Sequence, residues 1–86
     1  MTTFEIKLDS AKKAVNFINK MDNIDVNADL QQKNNHIVID AKDAMGIFCL
    51  DLSQVLKLII YTDNEDTISK VKNIVASLGY EQRAVG

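Results

Sequence analysis

Four segments of the chain predict β-strands, and at least three of them alternate apolar with polar residues, as a strand does when one face is buried and the other is solvated. Between the second and third segments, the polar residues 31–35 include two asparagines that tolerate positive φ, so they predict a hairpin loop. In the third segment, Ile37, Ile39 and Ala41 are predicted to face inward. The predicted bounds of the strands are residues 4–8, 24–30, 36–41 and 55–62.

An amphipathic helix is predicted after the first strand, because apolar residues recur there at spacings of three, four and seven. Asp9 or Ser10 is expected to cap its N-terminus, and the pattern ends near residues 21–23. The predicted buried stripe consists of Ala11, Ala14, Val15 and Ile18, with Phe17 and Met21 one row over.

A last helix with the same periodicity follows the fourth strand and is expected to begin after Asp63 or Asn64. Gly79 stands where a C-cap glycine belongs. The tail, residues 80–86, has no pattern and is expected to fray. The predicted buried stripe of this helix is Ile68, Val71, Val75 and Leu78, with Ile74 beside it.

Residues 43–50, between the third and fourth strands, depart from alternation and concentrate apolar side chains beside a good N-cap, Asp43. A helix this short cannot bury four large apolar side chains on one stripe, so some of them are expected on the surface, where they would mark a contact surface. The alternative is that all four belong to the core. The four are Met45, Ile47, Phe48 and Leu50.

The order of the elements is βαββαβα, and clean alternation in the strands is typical of a sheet with one face in water. The sequence therefore predicts the α+β class, as an open-faced β-sandwich with a four-stranded antiparallel sheet and helices on one face. With 86 residues, the chain is expected to form a single domain, residues 1–86.

Composition narrows the possible functions. Hydrophobic residues make up 47% of the chain and the net charge is -2, so a soluble protein without a nucleic-acid-binding face is expected. The sequence shows neither a membrane-spanning run nor a leader, which predicts no membrane partner and a cytoplasmic location. One cysteine and one histidine provide no disulfide and no zinc site, so no metal or other cofactor is expected. No catalytic motif is visible, and an enzyme is not expected.

Residues 42–50 read Lys-Asp-Ala-Met-Gly-Ile-Phe-Cys-Leu. They resemble the Lys-Ser-Ile-Met-Gly-Val-Met-Ser-Leu segment of the HPr family, the small phosphocarriers of the sugar phosphotransferase system, and the order of elements agrees with that family along nearly the whole chain. In the family this segment carries a regulatory serine and a small apolar patch that docks on partner proteins. The resemblance implies that Met45 and Phe48 hold patch positions and that Ala44 replaces a larger aliphatic residue. It also implies that Asp43 occupies the serine site.

The chain departs from the family at both phosphorylation sites. The family's catalytic histidine lies at the start of the first helix in a Gly-Ile-His-Ala-Arg-Pro segment, whereas residues 10–15 here read Ser-Ala-Lys-Lys-Ala-Val. Lys12 or Lys13 falls at the histidine position, and a lysine, which is charged at neutral pH, is not a phosphoryl relay of this kind. Asp43 replaces the serine, either as a plain N-cap or as a partial imitation of phosphoserine.

Two other reactive residues are not expected to take part in catalysis. His36, the only histidine, is predicted at the start of the third strand, far from the first helix. Cys49 lies inside an apolar run and is expected to be a small buried hydrophobic residue.

The leading hypothesis is a docking or regulatory module that carries no phosphate and binds a protein partner, either a phosphotransferase component or a transcriptional regulator. Lys12 and Lys13 would then form a basic rim around the apolar patch. The full set of predicted docking residues is Ala44, Met45, Ile47, Phe48, Lys12 and Lys13.

Two alternatives remain open. The protein is a phosphocarrier with an unconventional acceptor such as His36, or it is a ferredoxin-like small-molecule-binding regulatory domain. Strand pairing separates the folds, because a ferredoxin-like sheet places strands one and three side by side, whereas the HPr arrangement places strand one beside strand four.

Overall fold

The computed structural model of the protein describes residues 1–33 and 36–79. The expected fraying of residues 80–86, and part of the predicted hairpin loop, lie outside the described residues. The order of elements is βαββαβα, as predicted. The elements are β1 (Thr2–Ile6), α1 (Ala11–Asp22), β2 (Ala28–Gln32), β3 (Val38–Asp40), α2 (Ala44–Phe48), β4 (Leu56–Ile60) and α3 (Glu65–Ser77).

The four strands form one antiparallel sheet with the order β1-β4-β2-β3. β4 lies in the interior of the sheet, where Leu58 stands opposite Phe4 of β1 on one side and opposite Leu30 of β2 on the other. β1 and β3 are the two edge strands. The pairing of β1 with β4 confirms the arrangement expected from the resemblance to HPr, and the ferredoxin-like alternative, which needs β1 beside β3, is wrong.

The helices cover one face of this sheet. Alternation along β4 sends Leu56, Leu58 and Ile60 into the core, where all three are fully buried. α1 contacts both other helices, α3 contacts β1 and α2 contacts β3, so α1 lies between α2 and α3. The predicted α+β open-faced sandwich is confirmed. Other fully buried core side chains are Ile6, Leu8, Phe17, Met21, Leu30 and Val71.

Local signals in the sequence define the ends of the two long helices. The Ser10 hydroxyl accepts a hydrogen bond from the Lys13 amide at 3.2 Å, and the Asn64 side chain accepts one from the Thr67 amide at 3.1 Å. Both are N-caps of the predicted kind. Gly79 follows the end of α3 with a φ of 76°, a left-handed conformation that glycine adopts without strain. No helix among the described residues is long and apolar enough to cross a membrane.

The first two strands are shifted relative to their predicted bounds. β1 begins two residues earlier than predicted and ends at Ile6, although Leu8 beyond it is fully buried. Ile24 and Val26 are also buried, but they lie in the connection between α1 and β2 rather than in a strand. Alternating burial therefore extends beyond the residues that pair in the sheet.

The third strand is shorter than predicted. It has three residues, and Ile37 lies before it with 45% of its surface exposed, so the inward position predicted for Ile37 is wrong. Ala41 is fully buried and Ile39 is partly buried against the core, as predicted. The short strand leaves Val38 half-exposed at the edge of the sheet.

The outer face of the sheet carries polar side chains that bond across it. Tyr61, directly after β4, donates its phenolic hydrogen to Oδ2 of Asp29 at 2.9 Å, and Lys33 forms an ion pair with Glu5. The hydrogen bond to the Asp29 carboxylate raises the pKa of the Tyr61 phenol above its ordinary value, because that bond holds the proton on the phenol.

We expect the substitution Asp29→Asn to lower the pKa of Tyr61 toward its ordinary value of 10.0, because the charged acceptor is removed. The folded protein holds this proton to higher pH than the unfolded chain does. The contribution to stability is therefore present below the unfolded pKa and is lost as the pH rises through the folded pKa. Tyrosinate absorbance in a Tyr80→Phe background reports Tyr61 alone, since the chain has two tyrosines. An unchanged pKa in the Asp29→Asn variant would show that the carboxylate is not the cause.

Candidate docking surface

α2 is a single short turn of helix whose start is defined by its capping residue. Oδ1 of Asp43 accepts a hydrogen bond from the Gly46 amide at 3.1 Å, and the Ile47 amide donates to the Asp43 carbonyl at 2.9 Å. A Cβ atom on Gly46 would lie 2.8 Å from Oδ2 of Asp43 and 3.2 Å from Cδ1 of Ile39. The predicted N-cap role of Asp43 is confirmed, and the glycine allows its carboxylate to lie close to the helix.

The apolar side chains of residues 43–50 divide between the core and the surface. Ile47 is fully buried and Leu50 is buried, whereas Met45 is 83% exposed and Phe48 is 47% exposed. The expectation that some of the four remain on the surface is confirmed. Ile47 belongs to the core, however, so its prediction as a docking residue is wrong, because a side chain without exposed surface cannot touch a partner. Ala44, at the start of the helix, is exposed.

Cys49 is exposed, so the prediction that it is buried is wrong. The residue caps the C-terminus of α2 and lies four positions after Met45, which places both sulfur-containing side chains on the solvent side of the helix. Ile47 is the only residue of this short helix that is buried, so the side of the helix opposite Ile47 faces solvent.

Four of the six residues in the predicted stripe of α1 are buried, and the other two lie at the surface. Its buried residues are Ala14, Phe17, Ile18 and Met21, whereas Ala11 is exposed and Val15 is 44% exposed. The stripe is therefore centred on the row that contains Phe17 and Met21. This rotation brings Val15, which the sequence assigned to the core, to the surface.

Two lysines show which flank of α1 faces α3. Nζ of Lys20 donates to Oγ of Ser77 at 3.2 Å, and Lys13 lines an open depression of about 250 Å³ together with Gly79. Val15 lies two residues after Lys13, about 200° around the helix, on the opposite flank. Because α1 lies between α2 and α3, the flank that carries Val15 is the one toward α2.

α2 runs antiparallel to α1. At its start, Nζ of Lys42 donates to the carbonyl of Ile24, just past the end of α1, at 2.5 Å. After its end, the Asp51 amide donates at 3.3 Å to Oε1 of Gln32, which is located where β2 pairs with the start of β4. α1 begins at this same end of the sheet, since it follows the end of β1. Phe48 therefore lies toward the first turns of α1.

The exposed apolar residues of α1 and α2 thus form one surface, which we term the docking surface. Lys12 is exposed and lies one helical turn before Val15, so it borders this surface. The predicted basic pair is split, because Lys13 faces α3 and its Nζ is 3.1 Å from Oδ1 of Asp9. Lys13 is therefore not part of the rim. The docking surface consists of Val15, Ala44, Met45 and Phe48.

His36 lies just before β3, at the edge of the sheet opposite β1. It is exposed, has a φ of 57° and precedes β3, the edge strand that lies about 14 Å across the sheet from β1 at normal strand spacing. In residues 1–33 and 36–79, no three His, Cys, Asp or Glu side chains come together in an arrangement that would hold a metal ion.

The sequence contains signals for most of these positions but not for all of them. Val15 shares a helical period with Ala11 and Ile18, which predicts burial, but the rotation of α1 places it at the surface. The neighbouring apolar residues Phe17 and Met21 carry the only available signal, since they predict a stripe rotated away from Val15.

Comparisons with known proteins place the fold. No protein-family model matches the chain, and no curated protein matches it either. The crystal structure of HPr-C-His from Thermoanaerobacter tengcongensis has a TM-score of 0.70 and 26% sequence identity, with coverage of 94% of this chain and 99% of the other. The phosphocarrier protein HPr from Bacillus anthracis str. Ames has a TM-score of 0.70 and 14% identity, with coverage of 90% and 95%. The chain therefore has an HPr-like fold.

We expect the neighbouring substitutions Ile47→Ala and Phe48→Ala to differ in their effect on stability. Ile47→Ala leaves a cavity in the core and should lower the free energy of unfolding by about 2–5 kcal/mol. Phe48→Ala removes a half-exposed side chain and should cost only about 1 kcal/mol. Urea denaturation followed by circular dichroism measures both values. A larger loss for Phe48→Ala than for Ile47→Ala would show that Phe48, not Ile47, is the core residue of α2.

Proposed function

We propose that this protein is an HPr-like docking module that carries no phosphate and regulates a protein partner by occupying its binding surface. The observation that carries the proposal is the docking surface itself. Met45 and Phe48 are large apolar side chains that the fold leaves in water on the segment that resembles the partner-binding motif of HPr. Exposed apolar groups clustered in this way are typical of an interaction site.

The first turn of α1 supports the absence of phosphocarrier chemistry. Phosphoryl transfer through HPr needs a histidine at the start of this helix, and residues 10–15 contain none. Ser10 is the N-cap, and its hydroxyl accepts a hydrogen bond from the Lys13 amide. Lys12 remains exposed, but a lysine holds a proton at neutral pH and is therefore a cationic contact rather than a phosphoryl acceptor.

The regulatory serine site supports the same proposal. Asp43 stands there, and one of its carboxylate oxygens is engaged in capping α2. A carboxylate brings one fixed negative charge, whereas phosphoserine brings roughly -1.5 to -2 and three acceptor oxygens. Asp43 therefore gives the edge of the docking surface a permanent charge that no kinase adds or removes.

A protein partner fits this surface better than a small molecule does. The docking surface is a helical face of exposed apolar residues with Lys12 at its border, which suits a partner with an apolar contact area and an acidic margin. Because the structural neighbours are HPr proteins, we propose that the partner is a phosphotransferase component or a transcriptional regulator that binds HPr.

We expect the protein to acquire no phosphoryl group under conditions that phosphorylate HPr. The two reactions are phosphoenolpyruvate with the general phosphotransferase enzyme, and ATP with HPr kinase, each run beside genuine HPr as a control. Intact mass recorded at neutral pH, where phosphohistidine survives, gives the answer. A phosphorylated product that the substitution His36→Gln abolishes would establish the phosphocarrier alternative instead.

We expect Phe48→Ala to weaken binding to the general phosphotransferase enzyme by about tenfold or more, because a half-buried aromatic anchor is lost. Tyr61→Ala is the matched control, since Tyr61 is an aromatic residue with the same exposure, 47%, on the outer face of the sheet. Isothermal titration calorimetry measures both affinities. Equal losses for the two variants would contradict a docking surface on α1 and α2.

A further inference from the structure

We infer that Lys42 and Gln32 are positioning residues that hold α2, and with it the docking surface, in place. Neither side chain belongs to the docking surface. The role of these bonds in partner binding rests on the proposed function. The way in which they hold α2 is a property of the folded protein alone.

α2 cannot maintain its position by itself. It has five residues, and isolated helices shorter than about 12–15 residues are marginal in water. Ile47 is the only buried residue within α2, and the core residues Ala41 and Leu50 flank the helix. A helix attached by so few side chains can tilt or unfold locally more easily than a long one, so polar bonds at its ends add to its order.

Lys42 supplies the bond at the N-terminal end. Its Nζ donates to the Ile24 carbonyl at 2.5 Å, and this contact is partly buried. The acceptor lies just beyond the C-terminus of α1, where the helix dipole favours a cation. The backbone amide of Lys42 also donates to Oδ1 of Asp40 at 2.8 Å, which fixes the turn that precedes the cap. The donor of the bond to the Ile24 carbonyl is a charged ammonium group, so this bond is stronger than the neutral bond that Gln32 makes at the other end of α2.

Gln32 supplies the bond at the C-terminal end. It is the one buried polar residue in the described part of the chain, and it occupies an inward-facing position at the end of β2, opposite Leu56. Its Oε1 accepts the Asp51 amide at 3.3 Å, in the connection that leaves α2. The Asp51 carboxylate in turn accepts hydrogen bonds from both the amide and the hydroxyl of Ser53, so the Gln32 side chain is bonded to an ordered turn.

The two bonds explain why polar groups stand at positions where the fold alone does not require them. An apolar residue at the position of Gln32 would fill the end of the sheet equally well, since its neighbours on this face are apolar. The amide oxygen instead reaches the chain after α2. Together with the buried side chains of Ala41, Ile47 and Leu50, Lys42 and Gln32 hold α2 at both ends.

Hydrogen exchange measured by NMR on the uncomplexed protein tests this inference. The variants Lys42→Met and Gln32→Leu keep most of each side chain but remove the donor and the acceptor. We expect the amides of residues 47–50 to exchange about tenfold faster or more in Lys42→Met, the size expected for one hydrogen bond to a charged group, and about fivefold faster in Gln32→Leu, which loses a neutral bond. Amides of β4 should keep their rates. Lys42→Arg should restore protection, and Lys72→Met, on the exposed face of α3, is the matched control.

Unchanged exchange in residues 47–50, or faster exchange spread equally over β4, would overturn the inference, because the residues would then have no local effect or only a general structural one. A parallel titration with the general phosphotransferase enzyme measures the functional consequence, and Lys42→Met should weaken binding while the urea midpoint stays near that of the Lys72→Met control. If the unsubstituted protein does not bind, the proposed function fails, and the exchange result still decides the role of Lys42 and Gln32.

Discussion

The packing of α1 across the inner face of β4 is the constraint on which the rest of the structure depends. Leu56, Leu58 and Ile60 form a continuous apolar row in the interior of the sheet, and Phe17 and Met21 of α1, which have no exposed surface, belong to the same core. Large side chains in a core of this density fix the rotation of the helix that carries them. Once α1 is rotated in this way, α3 packs along one flank and α2 along the other.

The docking surface is a consequence of that rotation and of the length of α2. A helix of five residues buries one side chain, so Met45 and Phe48 have no place in the core. Val15 points toward α2 for the same geometric reason that Phe17 points into the core. The surface is therefore not a separate feature added to the fold, but the part of the helical layer that a short α2 leaves uncovered.

Sequence reasoning reached the architecture because local and global signals agree. Each local signal in the sequence depends only on the backbone near it. These signals are strand alternation, the N-caps Ser10, Asp43 and Asn64, and Gly79 after α3. The wrong predictions concern side chains whose burial depends on neighbouring elements of the fold. α1 carries apolar residues on adjacent rows, so its period leaves the centre of the stripe open by about 60°, the offset between positions three residues apart.

The candidate site was predicted in part for the same reason. Met45, Phe48 and Asp43 could be placed from a short motif, but the motif cannot tell which apolar residues of a five-residue helix enter the core, and this produced the errors at Ile47 and Cys49. The separation of Lys12 from Lys13 depends on where α3 lies. Bonds such as that of Lys42 to the Ile24 carbonyl join distant parts of the chain and leave no periodic trace.

An HPr-like fold does not by itself make a phosphocarrier, because the chemistry lies in side chains that the fold tolerates losing. We propose that this chain nevertheless binds a protein partner through α1 and α2. Amide chemical-shift mapping of the ¹⁵N-labelled protein, titrated with the general phosphotransferase enzyme, locates the surface that is bound. We expect shifts concentrated at Lys12, Val15 and residues 44–49. Shifts concentrated instead on the outer face of the sheet, around Asp29 and Tyr61, would contradict it.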